Sequence, residues 1–380
     1  MSDNPHVLVL IESSRQSGRE YIRGIAEYAH HFGPWHFHWA TQDLAALKRP
    51  LKKKHFDGII ARDVALIKHA VSPGTPMIVL RYTTMGNDDM LFVGTDDMTI
   101  SRTVVDHFIR RGFKNFAFCG VRGCDWSVKR KYHFKKCLNE SRFALQEFEF
   151  LCLQYRSGFN SRETARIKKW LLQLPRPVAV MAANDDTGLL FVQFCREVGL
   201  RVPEDCAVVG VDNDPIVCGL SDPPLSSIEL KFHEAGYRAA SVLDLMMRGE
   251  RSDRMKINSM VGNLVVRQSS DIVAVDDPSV VAALRFIQNN SFRSLNVDEI
   301  VRVSGVSRRA LETRFRYYLA KTIKGIYREI RGDHIARVLS QTVMSIDEVA
   351  EQCGFEETSH FIRFFKSVKG ATPAAFRKRH

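Results

Sequence analysis

Two patterns of apolar spacing divide the chain. Over roughly the first 270 residues, short apolar runs alternate with segments whose apolar residues recur at helical spacing. The runs at residues 7–11, 35–40, 56–61, 77–82, 116–120, 178–183 and 207–211 read as buried strands. Ile22, Ile25, Ala26 and Ala29 share one helical face after Ser13 and Ser14, and residues 98–111 and 187–198 read as further helices. Such alternation predicts a doubly wound parallel sheet. The elements outnumber those of one open sheet, so two α/β lobes are expected over residues 1–270. Near residue 267 the strand pattern stops. Residues 267–277 (RQSSDIVAVDD) are polar and short, a linker or strand exit. From Pro278 onward everything reads as helix, with Asp276 or Asp277 as the first cap and breaks at Gly305, Gly332, Gly354 and Gly370. Residues 271–380 are therefore expected to form an all-α second domain.

The helical region repeats itself. Val297-Asp298-Glu299-Ile300 matches Ile346-Asp347-Glu348-Val349 at an offset of 49, and Gly305 matches Gly354 at the same offset. After one extra turn residue the offset becomes 50, pairing Leu311 and Phe315 with Phe361 and Phe365 as apolar anchors. A short helix, a Gly-centred turn and an amphipathic second helix make a helix-turn-helix pattern. One such unit could be an ordinary helical hairpin. Two units joined by a helix over 323–339, in the most basic part of the chain, point to DNA. The faces away from the anchors carry Arg308, Arg309, Glu312, Thr313 and Arg316 in the first copy, and Thr358, Ser359, Ile362 and Arg363 in the second. Arg, Thr and Ser reach base edges or phosphates in a major groove. The short helix of the second copy is acidic, with Asp347, Glu348 and Glu351, and is expected to face away from phosphate.

Charge agrees with that reading. The 380 residues carry a net charge of +12, and residues 277–380 alone hold 18 basic and 11 acidic side chains. The hydrophobic share of 45% and charged share of 26% exclude global disorder. No run of 18 apolar residues exists, so no spanning helix and no membrane partner are expected. The start, MSDNPHVLVLIESSR, has no basic n-region and reads as a strand rather than a signal peptide, which suggests a cytoplasmic protein. Eight cysteines without a CxxC read as buried reduced thiols. Residues 120–123 (GVRG) are not GxGxxG, and GxxxxGK[ST], GxSxG and HExxH are absent, so neither an enzyme nor a cofactor is expected. His36 and His38 share a strand face, but no third metal ligand is near in sequence, and a structural or surface role is expected. The basic run at residues 48–54 reads as a solvated face.

Two-lobed α/β domains bind ligands in the cleft at the carboxyl ends of their strands. The candidates there are Ser13, Ser14 and Arg15 after the first strand, Arg62 and Asp63 after the third, and Asp96 and Asp97 after FVGT. Asn184, Asp185 and Asp186 follow VAVMAA, and Asp212, Asn213 and Asp214 follow VVGV. Carboxylates, amides and Arg forks can pair with the hydroxyls of a polyol, and Trp126 could cover an apolar sugar face. Any single Asp at such a place could instead cap the following helix.

Residues 280–378 resemble the DNA-binding domain of the AraC/XylS family. The matching motifs are VDEIVRVSGVSRRALETRFR, IARVLS and SIDEVAEQCGFEETSHFIRFFKSVKGATPAAFRK. The resemblance implies two recognition helices in successive major grooves of an operator. Base-reading candidates are Arg309, Glu312, Thr313, Thr358, Ser359 and Arg363, with Arg308 beside them, while Arg316 and Lys366 are assigned to phosphate. Glu312 departs from a basic or amide reader and could accept from cytosine N4. Residues 6–268 resemble the effector domain of the LacI/GalR family through MAANDDTGLL, VPEDCAVVGVDND, PPLSSI and AGYRAASVLDLMMRG. There WSVKRKYHF assigns Arg130 to sugar hydroxyls, and Asn184 or Asp185, together with Asp212, become ligand contacts. The resemblances imply a small sugar effector, a pentose such as xylose, and a homodimer formed through the sensor, with RNA polymerase a candidate contact. The expected function is a sugar-responsive regulator that binds specific double-stranded DNA and activates pentose genes. The rival readings are a repressor for another sugar, a sugar-binding protein without DNA binding, and an enzyme.

Overall fold

The computed structural model describes residues 4–39, 55–62, 74–80, 90–151, 161–250, 257–272, 274, 275, 277–342 and 344–377. Asp63 and the basic run at 48–54 lie outside these residues, as do the ends of the strands expected at 35–40 and 77–82. The chain divides into two compact units, Met1–Ile272 and Val273–His380.

The first unit contains two six-stranded sheets, one per lobe. The first lobe holds β1 (His6–Leu10), β2 (His36–Trp39), β3 (Gly58–Ala61), β4 (Met77–Val79), β5 (Met90–Thr95) and β11 (Ile257–Ser259), in the order β11-β5-β4-β3-β1-β2. The second holds β6 (Asn115–Arg122), β7 (Leu145–Leu151), β8 (Val178–Ala182), β9 (Cys206–Asp212), β10 (Ser226–Leu230) and β12 (Val261–Val265), in the order β12-β10-β9-β8-β6-β7. All pairings are parallel except β10 with β12. The central strands have continuous apolar sequences because helices cover both faces: every residue of β3 and β8 is buried. Edge strands read differently. β7 (LQEFEFL) alternates exposed and buried positions, so it lacks the unbroken apolar run that marks its neighbours.

The chain passes between lobes after β5, after β10 and after β11. The helix after β10, Phe232–Met247, returns to pack on Gln16–Phe32 of the first lobe. That packing needs two glycines. A Cβ on Gly24 would run into the His233 carbonyl, and one on Gly236 into the Tyr21 carbonyl. Tyr28 then reaches across to Asp244 at 3.0 Å.

Residues 268–270, read from the sequence as part of a linker or strand exit, follow β12 closely and are not an exposed linker. They form a 3-10 turn in which Ser269 and Ser270 are fully buried. Ser269 donates to the Val208 carbonyl at 2.7 Å and accepts from Ser226 N–H at 2.8 Å. Ser270 meets His107 Nε2 at 3.1 Å, while Arg111 lies 3.0 Å from His107 Nδ1. Burial first, and then Arg111, push the His107 imidazole down to about 3. His107 is therefore neutral, and the stability it contributes is present above its ordinary value and lost as pH falls toward 3.

The second unit is helical throughout its described length. Pro278–Asn289 begins on Asp277, whose carboxylate accepts from Ser279 and Val280 N–H. The helices Val297–Ser304, Arg308–Leu319, Ile323–Gln341, Ile346–Gln352, Thr358–Lys369 and Pro373–Arg377 follow. Two separate cores form. One gathers Val280, Ile287, Ile300, Leu311 and Phe315. The other gathers Ile335, Leu339, Val349, Phe361 and Phe365.

Candidate functional site

The cleft side chains of the first unit sit where β-strands end and helices begin. Arg130 lies on helix Asp125–Glu140, 3% exposed. Its Nε donates to Asp97 Oδ1 at 3.0 Å, and Nη1 donates to the Ala183 carbonyl. Trp126, half-buried one turn earlier, has its ring centroid 6.0 Å from the guanidinium carbon. A buried Arg–Asp pair is held by its geometry, and removing one partner costs about 3–5 kcal/mol. Of the adjacent pair Asp96 and Asp97, only Asp97 turns inward. Asp96 caps the helix Asp97–Ile109, accepting from Thr99 N–H at 3.0 Å and Thr99 Oγ1 at 2.7 Å. Sequence reading offered both as cleft candidates, put Asp96 first, and could not separate them. Successive side chains diverge, and only the packing of Arg130 shows which one points inward.

Asn184 and Asp185 also serve the scaffold. Asn184 caps Asp185–Glu197 through Thr187, and its amide nitrogen donates to Asp186 at 3.2 Å. Asp185, 2% exposed, accepts from Ser227 Oγ at 2.5 Å and Asp214 N–H at 2.7 Å. Burial first, then the neighbouring Asp212, push its carboxyl well above the usual range. Gly210 leaves room for that carboxylate, since a Cβ there would overlap it. Asp212 ends β9 with φ 113°, and Asn213 follows at φ 56°. Both are left-handed conformations that cost non-glycine residues on the order of 1–3 kcal/mol each. Ser227 accepts from Asn213 N–H, and Arg267 donates to the Asn213 side chain at 2.7 Å, holding the turn in place. Loss of water pushes the Asp212 carboxyl up to about 6, against the pull of Arg130 and Arg62 and with the push of Asp186.

The first lobe supplies the opposite wall. Arg62 is half-buried, bonded to Ser17 Oγ at 3.1 Å and paired with Glu12 at 3.2 Å. Ser13 is half-buried in the same loop, its carbonyl accepting from Arg19 at 2.8 Å. Among the described residues, contacts cross from lobe to lobe. Arg15 pairs with Asp186, and Asp214 Oδ2 accepts from Gln16 N–H at 3.2 Å. Helix Gln16–Phe32 has no capping side chain of its own at Arg15, so a carboxylate of the other lobe caps its first turn. Sequence pattern alone could not find this cap, because donor and acceptor are 198 residues apart.

His36 and His38 gain a neighbour from β1: His6 Nδ1 lies 3.1 Å from His38 Nε2. Among the described residues no group of three or more His, Cys, Asp or Glu side chains could hold a metal ion. The seven described cysteines are buried and none is in a disulfide.

In the second unit the polar residues expected to point outward are exposed or half-buried, whereas Ile362, expected on the same outward face, is half-buried and packs against the second core. Arg308, Arg309, Thr313 and Arg316 are exposed on Arg308–Leu319, with Glu312 half-buried. Ser359, Arg363 and Lys366 are exposed on Thr358–Lys369, with Thr358 half-buried. Leu311, Phe315, Phe361 and Phe365 are fully buried beneath them. Arg308 pairs with Glu312 at 3.1 Å and with Asp298 at 3.4 Å. Thr358 Oγ1 donates to Asp347 Oδ1 at 2.6 Å, the equivalent contact in the second repeat.

A periplasmic binding protein-like domain matches residues 105–270, and a helix-turn-helix domain matches residues 300–379. The chain is 25% identical to the xylose operon regulatory protein of Escherichia coli (strain K12), covering 98% of this chain and 96% of that protein. It is 24% identical to the protein of the same name from Haemophilus influenzae, over 98% and 97%. Its fold is similar to that of the xylose-binding transcription activator XylR, with TM-score 0.80 and 23% identity over 100% of this chain and 99% of that one. The transcriptional regulator CelR–cellobiose complex matches at TM-score 0.58 and 23% identity, over 71% of this chain and 86% of that chain. Among the described residues no helix is long and apolar enough to cross a membrane.

Proposed function

A periplasmic-binding-protein-like sensor joined to an AraC-type helix-turn-helix domain makes this chain a DNA-binding transcription regulator rather than an enzyme, and we propose that a pentose, xylose first among candidates, is the signal it reads. The observation that carries the effector reading is the cleft itself. Arg130, locked by Asp97, and Arg62, from the other lobe, both bring their charge to bear on Asp212. A neutral polyol suits such opposed charges, because its hydroxyls donate to carboxylates and accept from guanidinium groups. In this reading Ser13, Arg62, Trp126, Arg130, Asn184 and Asp212 line the ligand, while Asp96 and Asp185 keep the helix starts and the strained turn in place. The sugar closes the lobes, and the cross-lobe contacts Arg15–Asp186 and Gln16–Asp214 favour the closed state.

The protein works in the cytoplasm as a homodimer through its sensor domains and activates transcription by contact with RNA polymerase. Each protomer offers two recognition helices to grooves about 34 Å apart. Arg308, Arg309, Glu312, Thr313, Thr358, Ser359 and Arg363 meet bases, while Arg316 and Lys366 meet phosphate. The test is a thermal-shift panel of pentoses and hexoses on the full chain, with Arg130→Ala and Asp212→Ala beside it. Xylose is expected to raise the melting temperature of the native protein and of neither variant. A sugar-induced shift that survives both substitutions sinks the assigned cleft. Because an ionised Asp212 accepts more strongly from a hydroxyl than a neutral one, sugar affinity should also fall as pH drops through about 6.

A further inference from the structure

The helix Ile323–Gln341 belongs to both reader cores: Tyr327 lies in the first, Ile335 and Leu339 in the second. Arg331 stands between them, 5% exposed. Its Nη1 donates to Tyr327 Oη at 2.9 Å, and its Nη2 donates to the Cys353 carbonyl at 2.9 Å. Tyr327 Oη also accepts from Leu295 N–H at 3.1 Å and donates to the Arg293 carbonyl at 3.4 Å. The ring of Phe355 lies 4.1 Å from the guanidinium carbon, and that of Phe364 lies 5.3 Å away. Cys353 and Phe355 flank the Gly354 turn of the second repeat. Arg293 and Leu295 lead into the first helix of the first repeat. The two segments also meet directly: Gly354 has φ +69°, and a Cβ there would sit 3.3 Å from Arg293 Cα.

Among the described residues no carboxylate pairs with Arg331. A buried cation held by a phenol, a carbonyl and aromatic faces contributes little net stability compared with an apolar side chain of similar volume. What the guanidinium does supply is a planar fork with fixed angles between its donors. One donor is tied to the entry of the first repeat and the other to the turn of the second. We propose that Arg331, through Tyr327, is a positioning residue that sets the second recognition helix at a fixed distance and phase from the first. DNA affinity then depends on the spacing of two groove elements as well as on their sequences.

The test uses the full chain and a DNA fragment selected with it from random-sequence DNA. A second fragment carries one extra base pair between the two groove elements. In the native protein the insertion should weaken binding roughly tenfold, the scale of a misplaced base contact. Arg331→Met keeps the aliphatic stem, removes the fork, and should lose affinity for the selected fragment while its insertion penalty shrinks to about threefold or less. Arg331→Lys should behave like Arg331→Met, since one ammonium cannot span both partners. Tyr327→Phe retains the ring and removes only the hydroxyl, so it keeps the test open if an Arg331 variant does not fold. It should reduce the penalty in the same direction. A purely structural role would lower affinity for both fragments equally. An unchanged ratio between the two fragments, in Tyr327→Phe and in every folded Arg331 variant, overturns the proposal.

Discussion

In the first reader repeat, Asn296 and Glu299 close a capping box, Gly305 ends the short helix at φ 71°, and Ser307 caps the recognition helix. In the second, Ser345 and Glu348 close the same box and Gly354 takes the same turn, but Glu357 stands before the recognition helix and caps nothing. In both boxes a backbone N–H, that of Asn296 or of Ser345, holds the glutamate below its usual range. The scaffold is thus copied while the reading surface is not. At an offset of 50, Arg308, Arg309, Glu312 and Thr313 correspond to Thr358, Ser359, Ile362 and Arg363. The first helix opens with two guanidinium groups and the second with two hydroxyls. Arg readers fork onto guanine, whereas Ser and Thr tolerate several bases. On the proposed assignment of base contacts, the first repeat would be the stricter reader in its opening turn, and the second places its one Arg a turn later.

The strongest way to break this pairing is to hollow each core in turn. Phe315→Ala and Phe365→Ala each remove a fully buried ring and should each cost about 3–5 kcal/mol. Denaturant unfolding measures the loss, and footprinting on an operator fragment shows which groove is released. Phe315→Ala should free the first groove and Phe365→Ala the second. Both grooves released together by either change would mean that the repeats do not act as separate cores.

A smaller effect sharpens the difference in reading. Arg309→Ala should remove about 1–3 kcal/mol of base discrimination at one position of the first groove. Ser359→Ala, its counterpart, should remove less than Arg309→Ala at the second. Gel shifts on fragments with single-base changes separate the two. Equal, sequence-independent losses would make Arg309 a phosphate contact instead.

Caps come next. Ser307→Ala should cost about 1 kcal/mol, and Glu357→Ser should have the opposite sign and stabilise by a similar amount. Thermal unfolding of both variants decides this. Destabilisation by Glu357→Ser would show that the acidic side chain has a role there other than capping.

Much of the reader was legible because a repeat carries its own control. The Gly turn and the pair of apolar anchors each appear twice, and chance seldom repeats such a set in register. The sensor offered strand periodicity but not the identity of its inward side chains. Asp96 and Asp97 are equal in sequence, yet one caps a helix and the other is buried against Arg130. Ser269 and Ser270 read as linker because they are polar, although the buried partners that satisfy them come from β9, β10 and His107. The Asp214 cap on the opposite lobe is longer in range still. Local pattern reports which face of an element is apolar. It does not report which distant polar group will satisfy a buried one.

The smallest predicted effect tests the surface rather than the core. Arg308 and Glu312, with side chains 58% and 42% exposed, form an i,i+4 pair that the second repeat lacks, since Thr358 and Ile362 occupy those places. Such a pair is worth roughly 0.3–0.5 kcal/mol, so Glu312→Gln should barely move the melting temperature. It also releases Arg308 and removes a negative charge from the groove-facing side. Affinity for non-operator DNA should rise, and the dependence of its logarithm on log salt should steepen by up to about one phosphate equivalent. Ile362→Gln, the matching change in the second repeat, alters no charge and should leave that slope where it was. If both variants steepen it alike, the charge asymmetry between the two reading surfaces has no bearing on how they hold DNA.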